Sequence, residues 1–119
     1  MTDRETYEKG LAGESQAVQY LQTQGFQLLQ KRYRASGGEI DAVMLEQDTL
    51  VFVEVKLRNT GTSGDGLIAV TTKKQRRIIK TALFFLAEYE HDGPIRFDIV
   101  EVTADGIQHI RNAFQGKEF

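Results

Sequence analysis

The sequence predicts an α/β domain, a small mixed β-sheet with helices packed on it. Three patterns predict it. Residues 5–24 and 71–90 repeat apolar side chains at helical spacing. Residues 39–57 hold two runs rich in Val, Ile and Phe, split by a short polar break, which is a hairpin signal. Gly93-Pro94 then breaks the chain ahead of one more β-rich run at 95–103. At 119 residues the chain supports one domain, with a core about 5–110 and a tail 111–119.

In the first helix, Tyr7, Leu11, Val18 and Leu21 form a stripe, and Gly25 stands near the expected C-terminal cap. Residues 26–34 read as a strand with a basic end, and Ala35-Ser-Gly-Gly38 as a turn. Strands at 39–46 and 50–57 follow, joined through Gln47-Asp48-Thr49. Residues 58–66, with Gly61, Gly64 and Gly66, are expected to form a mobile loop. In the second helix the stripe is Ile78, Ile79, Ala82, Leu86 and Tyr89, extended by Gln75. After the strand at 95–103, Ala104-Asp105-Gly106 is a turn and Ile107–Ile110 a short last strand.

Composition excludes several classes of function. There is no Cys, hence no disulfide scaffold, thiolate zinc site or Cys nucleophile. His91 and His109 lack ligand spacing for zinc. No apolar run approaches the roughly 18 residues of a membrane helix. Residues 1–10 are charged and unlike a signal peptide, so no membrane partner and a cytoplasmic location are expected. The Gly61–Gly66 stretch lacks the Lys-Ser/Thr of a P-loop. There is no Trp and no sign of a sugar platform. Net charge is −2, but residues 59–80 carry five bases against one acid, which suits either a phosphate-bearing partner or a plain solvated helix face.

Charges stand where a core should be. For either turn choice, paired residues of the 39–57 hairpin sum to 95, so Val43 faces Phe52, Asp41 faces Glu54 and Glu39 faces Lys56 on one side. The other side, Ile40, Ala42, Met44, Val51, Val53, Val55 and Leu57, is the expected core face. Opposed Cβ atoms lie about 4.5–5.5 Å apart. Two carboxylates at about 5 Å repel by roughly 3 kcal/mol at an effective dielectric of 20. Either water screens them at an exposed sheet end, or a hard divalent cation holds them together. Glu14 also interrupts the first helix's apolar stripe, where a carboxylate is costly unless it is paired, metal-bound or able to reach water.

Asp41, Glu54 and Lys56 together suit phosphodiester hydrolysis assisted by Mg²⁺ or Mn²⁺. The two carboxylates, with the Val55 carbonyl, would hold the ion, and Lys56 would orient or deprotonate water or neutralise charge on phosphorus. Glu14 and Glu39 would complete the surroundings or hold a second ion. Lys31, Arg32, Arg34, Arg58, Lys73, Lys74 and Arg77 are candidates to grip a phosphate backbone. Gln75 would either reach the site or serve as a polar first-turn residue.

Gly38-Glu-Ile-Asp41 followed by Val51-Phe-Val-Glu-Val-Lys56-Leu-Arg58 resembles the PD-(D/E)XK nuclease motif. Together with Gly13-Glu14, the helix start at 74–78 and Arg96-Phe-Asp98, these blocks resemble the bacterial YraN family over about residues 8–103. That family is uncharacterised but nuclease-like, and similar to archaeal Holliday-junction resolvases. The resemblance implies a restriction-endonuclease-like αβββαβ core, metal ligands at Asp41 and Glu54, a catalytic Lys56 and a supporting acid at Glu14. It implies an endonuclease acting on DNA, including branched or flapped DNA, and it admits a homodimer. Gln75 stands where the related exonuclease pattern has a Gln, with Ile79 in place of a Tyr four residues on. Non-catalytic nucleic-acid binding on the same fold is the alternative.

Overall fold

The computed structural model describes residues 3–58 and 70–115. Its elements are α1 (Asp3–Thr23), β1 (Gln27–Ala35), β2 (Gly38–Glu46), β3 (Thr49–Leu57), α2 (Thr72–Glu88), β4 (Ile95–Thr103) and β5 (Gly106–Phe114). The five strands form one mixed sheet in the order β1-β2-β3-β4-β5. β3 and β4 are parallel, joined through α2, and every other neighbouring pair is antiparallel. The expected αβββαβ order is therefore present, with β5 added at the edge. The glycines expected to make a mobile loop, and Phe119, lie outside the described residues.

α1 ends where Gly25 takes a φ of +98°, open to glycine at little cost. The Phe26 amide donates to the Leu21 carbonyl and the Gly25 amide to that of Gln22, so the last carbonyls are satisfied as the chain turns. The β1–β2 turn has positive φ at Ser36 and Gly37, the two-residue geometry that matches strand twist. Gly38 is required for a different reason. A Cβ there would collide with the Thr81 hydroxyl of α2, so the missing side chain lets helix and sheet approach.

Two cores sandwich the sheet. α1 buries Ala17, Val18 and Leu21 against Ala42, Met44, Val51, Val53, Val100 and Val102. α2 buries Ile78, Ala82 and Phe85 against Val43, Leu50, Phe52, Phe97 and Ile99. The β2–β3 register is the expected one, from Glu46–Thr49 to Ala42–Val53.

Five expectations need correction. Ile40 belongs to the α2-side core and not with Ala42 and Met44. The β2–β3 ladder stops at Ala42–Val53, and Arg32, on β1 beside this point, has a φ of +53°, so regular alternation fails at Asp41. The buried stripe of α2 is Ile78, Thr81, Ala82 and Phe85, with Ile79, Leu86 and Tyr89 flanking it. Thr81 can be buried because its hydroxyl donates to the Arg77 carbonyl at 2.9 Å. Tyr7 and Leu57, expected to be apolar contacts, are exposed. Finally, β5 continues to Phe114, whose ring stacks on Phe97 with centroids 5.0 Å apart.

Candidate metal centre

The site forms where β2 leaves β3. Past Ala42–Val53, the Asp41 carboxylate accepts the Val55 amide at 2.7 Å, taking the place of a ladder carbonyl. Val55 keeps its pairing with Val100 of β4, so Asp41 is pinned to the centre of the sheet. Glu54, on the α2 side of β3, is buried, and its carboxyl is hydrogen-bonded to that of Asp41. Burial, the Glu54 hydrogen bond and the Glu54 charge push Asp41 up to about 8. Burial and the neighbouring carboxylate thus work together against a charged Asp41, the conflict that the hairpin pattern anticipates.

Two lysines face this pair. Lys74, from the first turn of α2, lies 3.6 Å from Glu54. Its side chain lies beside that of Lys56, close enough for the two to influence each other. Burial and the neighbouring Lys74 lower the pKa of Lys56. For Lys74, burial opposes the charge, but Lys56 and the Glu54 and Asp41 carboxylates outweigh it and raise the pKa. A cleft of about 670 Å³ opens over the acids, lined by Glu39, Asp41, Glu54, Lys74, Arg77 and the turn at 35–38.

Asp41 and Glu54 are thus brought together in one cleft, with Glu39 at the rim paired to Arg34 at 2.6 Å, while Lys56 interacts with both acids without lining that cleft. Glu14 stands one step back. Arg32 forks onto it at 3.0 and 3.1 Å, while burial and the Asp41 charge raise its pKa. Two of the basic residues expected on a phosphate backbone, Arg32 and Arg34, are therefore engaged with the site's outer acids. Arg58 lies 3.9 Å from the buried Glu101. Lys31, Lys73 and Arg77 are exposed. Gln75 points back to the loop, donating to the Val70 carbonyl at 3.0 Å, while Thr71 caps the helix through the Lys74 amide. The expectation for Lys74 was a phosphate contact. Its contact with Glu54 depends on how α2 crosses the sheet, for which the local sequence carries no signal.

Sequence reasoning also missed a second charged cluster, built on β4 and β5 and reaching the end of β2 at Glu46. Asp98 is fully buried. It is contacted by Arg96 at 2.8 and 3.0 Å, His109 at 2.7 Å and the Asn112 amide at 2.9 Å. Arg96 and Arg111 both extend to Glu46, at 2.9 Å and at 2.8 and 3.0 Å. An acid inside the run Arg96-Phe-Asp-Ile-Val100 was the available signal.

The donor set at Asp41 and Glu54 suits a hard divalent cation. Both are oxygen ligands, and an ion between them would relieve the repulsion that raises the Asp41 pKa. Among the described residues no three acidic or imidazole side chains converge on one point, but Mg²⁺ needs only one or two carboxylates, with waters completing its shell. No described helix is long and apolar enough to cross a membrane.

The family model described as "Uncharacterised protein family UPF0102" matches residues 13–102. The UPF0102 protein of Nitrosomonas europaea is 45% identical over 109 residues, covering 89% of this chain and 92% of the relative. That of Geobacter metallireducens is 45% identical over 111 residues, covering 89% and 91%. That of Herminiimonas arsenicoxydans is 42% identical over 106 residues, covering 89% and 86%.

Proposed function

Since the chain belongs to the uncharacterised protein family UPF0102, whose name assigns no activity, we propose from the cleft itself that it is a divalent-metal-dependent endonuclease of the PD-(D/E)XK kind. Its substrate is DNA, with branched or flapped forms included. What supports the reading is the contact between the Asp41 and Glu54 carboxyls with Lys56 beside them. A fold selected for stability alone would not keep that conflict.

Asp41 and Glu54, with the Val55 carbonyl, would hold Mg²⁺ or Mn²⁺. When bound, such an ion polarises the phosphate and makes water a better nucleophile. Lys56, with its lowered pKa, accepts the proton of the attacking water. Arg77 lines the cleft and Lys73 is exposed next to Lys74 in the first turn of α2, where both can bind the flanking phosphates. Glu14 holds Arg32 beside the Asp41 bend and so supports the shape of the site.

Supercoiled, single-stranded, flap and four-way DNA incubated with Mg²⁺ or Mn²⁺ test the reading. Cleavage is expected, and Asp41→Ala, Glu54→Ala and Lys56→Ala should each abolish it while keeping the circular-dichroism spectrum of the parent. Cutting that survives in all three variants comes from a contaminant and removes the proposal. Tight DNA binding with no cleavage in either metal replaces it with a non-catalytic binding module. In the same assays, Lys73→Ala combined with Arg77→Ala should weaken DNA binding and flatten the dependence of log K on log salt by about 2, near 0.9 per lost phosphate contact. An unaltered slope would take α2 out of the DNA contact.

A further inference from the structure

The carboxylate pair already has a cation against it. Asp41 and Glu54 stand beside Lys56 and Lys74, and the Lys74 ammonium lies 3.6 Å from Glu54. Seating a divalent ion on Glu54 would set two further positive charges against that ammonium, which would have to withdraw. The two lysines are not equivalent in this respect. Lys56 belongs to a strand paired along β4, opposite Glu101. Lys74 reaches in from the first turn of a helix, its side chain 38% exposed and its ammonium 3.6 Å from Glu54, so rotamer changes alone can carry it into the cleft.

The position of Lys74 is also unusual for a helix. The first turn of α2 contains no acidic residue and carries two lysines, against the sign that a helix N-terminus favours. Glu54 supplies the compensation for Lys74.

We infer that Lys74 is a built-in counter-cation of the carboxylate pair, occupying the place of the metal's charge in the free protein and competing with Mg²⁺ or Mn²⁺ for Glu54. This rests on the metal-centre reading above and adds to it a residue that restrains metal affinity. Lys74 is a positioning residue in this role, since it acts through Glu54.

Calorimetric titration of the free protein with Mn²⁺ alone tests it. Lys74→Met should bind Mn²⁺ about tenfold tighter than the parent, because a neighbouring positive charge has gone. Lys74→Arg, which keeps the charge, should stay within about twofold of the parent. A general loss of packing weakens an ion site, so a gain in affinity separates competition from a merely structural role. Should Lys74→Met fail to fold by circular dichroism, Lys74→Gln makes the same comparison. Equal or weaker Mn²⁺ binding by the charge-removing variant overturns the role of Lys74 and leaves the metal centre standing. No Mn²⁺ binding at millimolar ion by the parent or any variant overturns both.

Discussion

Asp98→Ala is expected to destabilise the protein by about 3–5 kcal/mol, the usual cost of removing one partner from a buried ionic network. Asp98 is fully buried between β4 and β5, and its two oxygens serve Arg96, His109 and the Asn112 amide together. Truncation would strand all three. The Arg96 guanidinium is the costliest, because it lies largely buried between Asp98 and Glu46 and over the Phe26 ring. Single domains are commonly stable by only about 5–15 kcal/mol, so the loss would consume a large share. The urea midpoint measures it, and a change below about 1 kcal/mol would mean that water replaces the carboxylate freely. Burial works against the charge of Asp98, but His109, Arg96 and the Asn112 amide outweigh it and hold the carboxyl below the usual value. A lowered acid pKa stabilises the fold fully above the unfolded value of about 4, and that contribution fades as pH falls through the lowered one. Acid unfolding of the parent should therefore include an Asp98 component that the variant lacks.

This network holds the sheet in the arrangement that the hairpin alone does not specify. Glu46 lies at the tip of β2, and Arg96 and Arg111 bind it from β4 and β5. β2, β4 and β5 are thereby fixed to one another at the end of the sheet away from Asp41. Its residues were also the least legible in the sequence. Arg111 and Asn112 fall in the expected tail at 111–119, yet their contacts with Glu46 and Asp98 keep β5 in the sheet as far as Phe114.

Legibility followed the range of the interaction. The register of β2 and β3 was readable from Glu46–Thr49 to Ala42–Val53, because a short turn and strict alternation leave one pairing, while the expected pairing of Asp41 with Glu54 falls just past the end of that ladder. The face taken by Ile40 was not readable. It depends on the bend at Asp41, which involves the positive φ of Arg32 and the Val55 amide on two other strands. In α2 the run Ile78-Ile-Lys-Thr-Ala-Leu-Phe-Phe-Leu-Ala87 is apolar on several sides, so periodicity alone does not select a face. Phe85 is selected by edge-to-face contacts with Tyr33 and Phe52, at centroid distances of 5.2 and 5.8 Å.

Asp41→Asn is expected to abolish cleavage, by at least about a thousandfold, and at the same time to stabilise the metal-free protein at alkaline pH. The two effects share one cause. Burial and Glu54 raise the Asp41 pKa to about 8. A raised acid pKa means that the folded protein binds an extra proton between the ordinary carboxylate range and pH 8. Stability is then fully present below about pH 4 and declines as pH rises toward 8. Asparagine matches the protonated acid in shape. Its carbonyl can still accept the Val55 amide, and its NH₂ can donate to Glu54 without any proton to lose. The variant should equal the parent near pH 5 and exceed it at pH 8 by about 2–3 kcal/mol, near 10 °C in melting temperature. Saturating Mn²⁺ should then reverse the order. At 100 times the dissociation constant a bound ion adds about 2.7 kcal/mol to the parent, and the amide, a poorer ligand for a hard cation, gains little of it. Melting curves at pH 5 and pH 8, with and without Mn²⁺, separate these cases. If Asp41→Asn melts at or below the parent at pH 8 without metal, the two acids are not in conflict, and the cleft loses the feature that points to an ion.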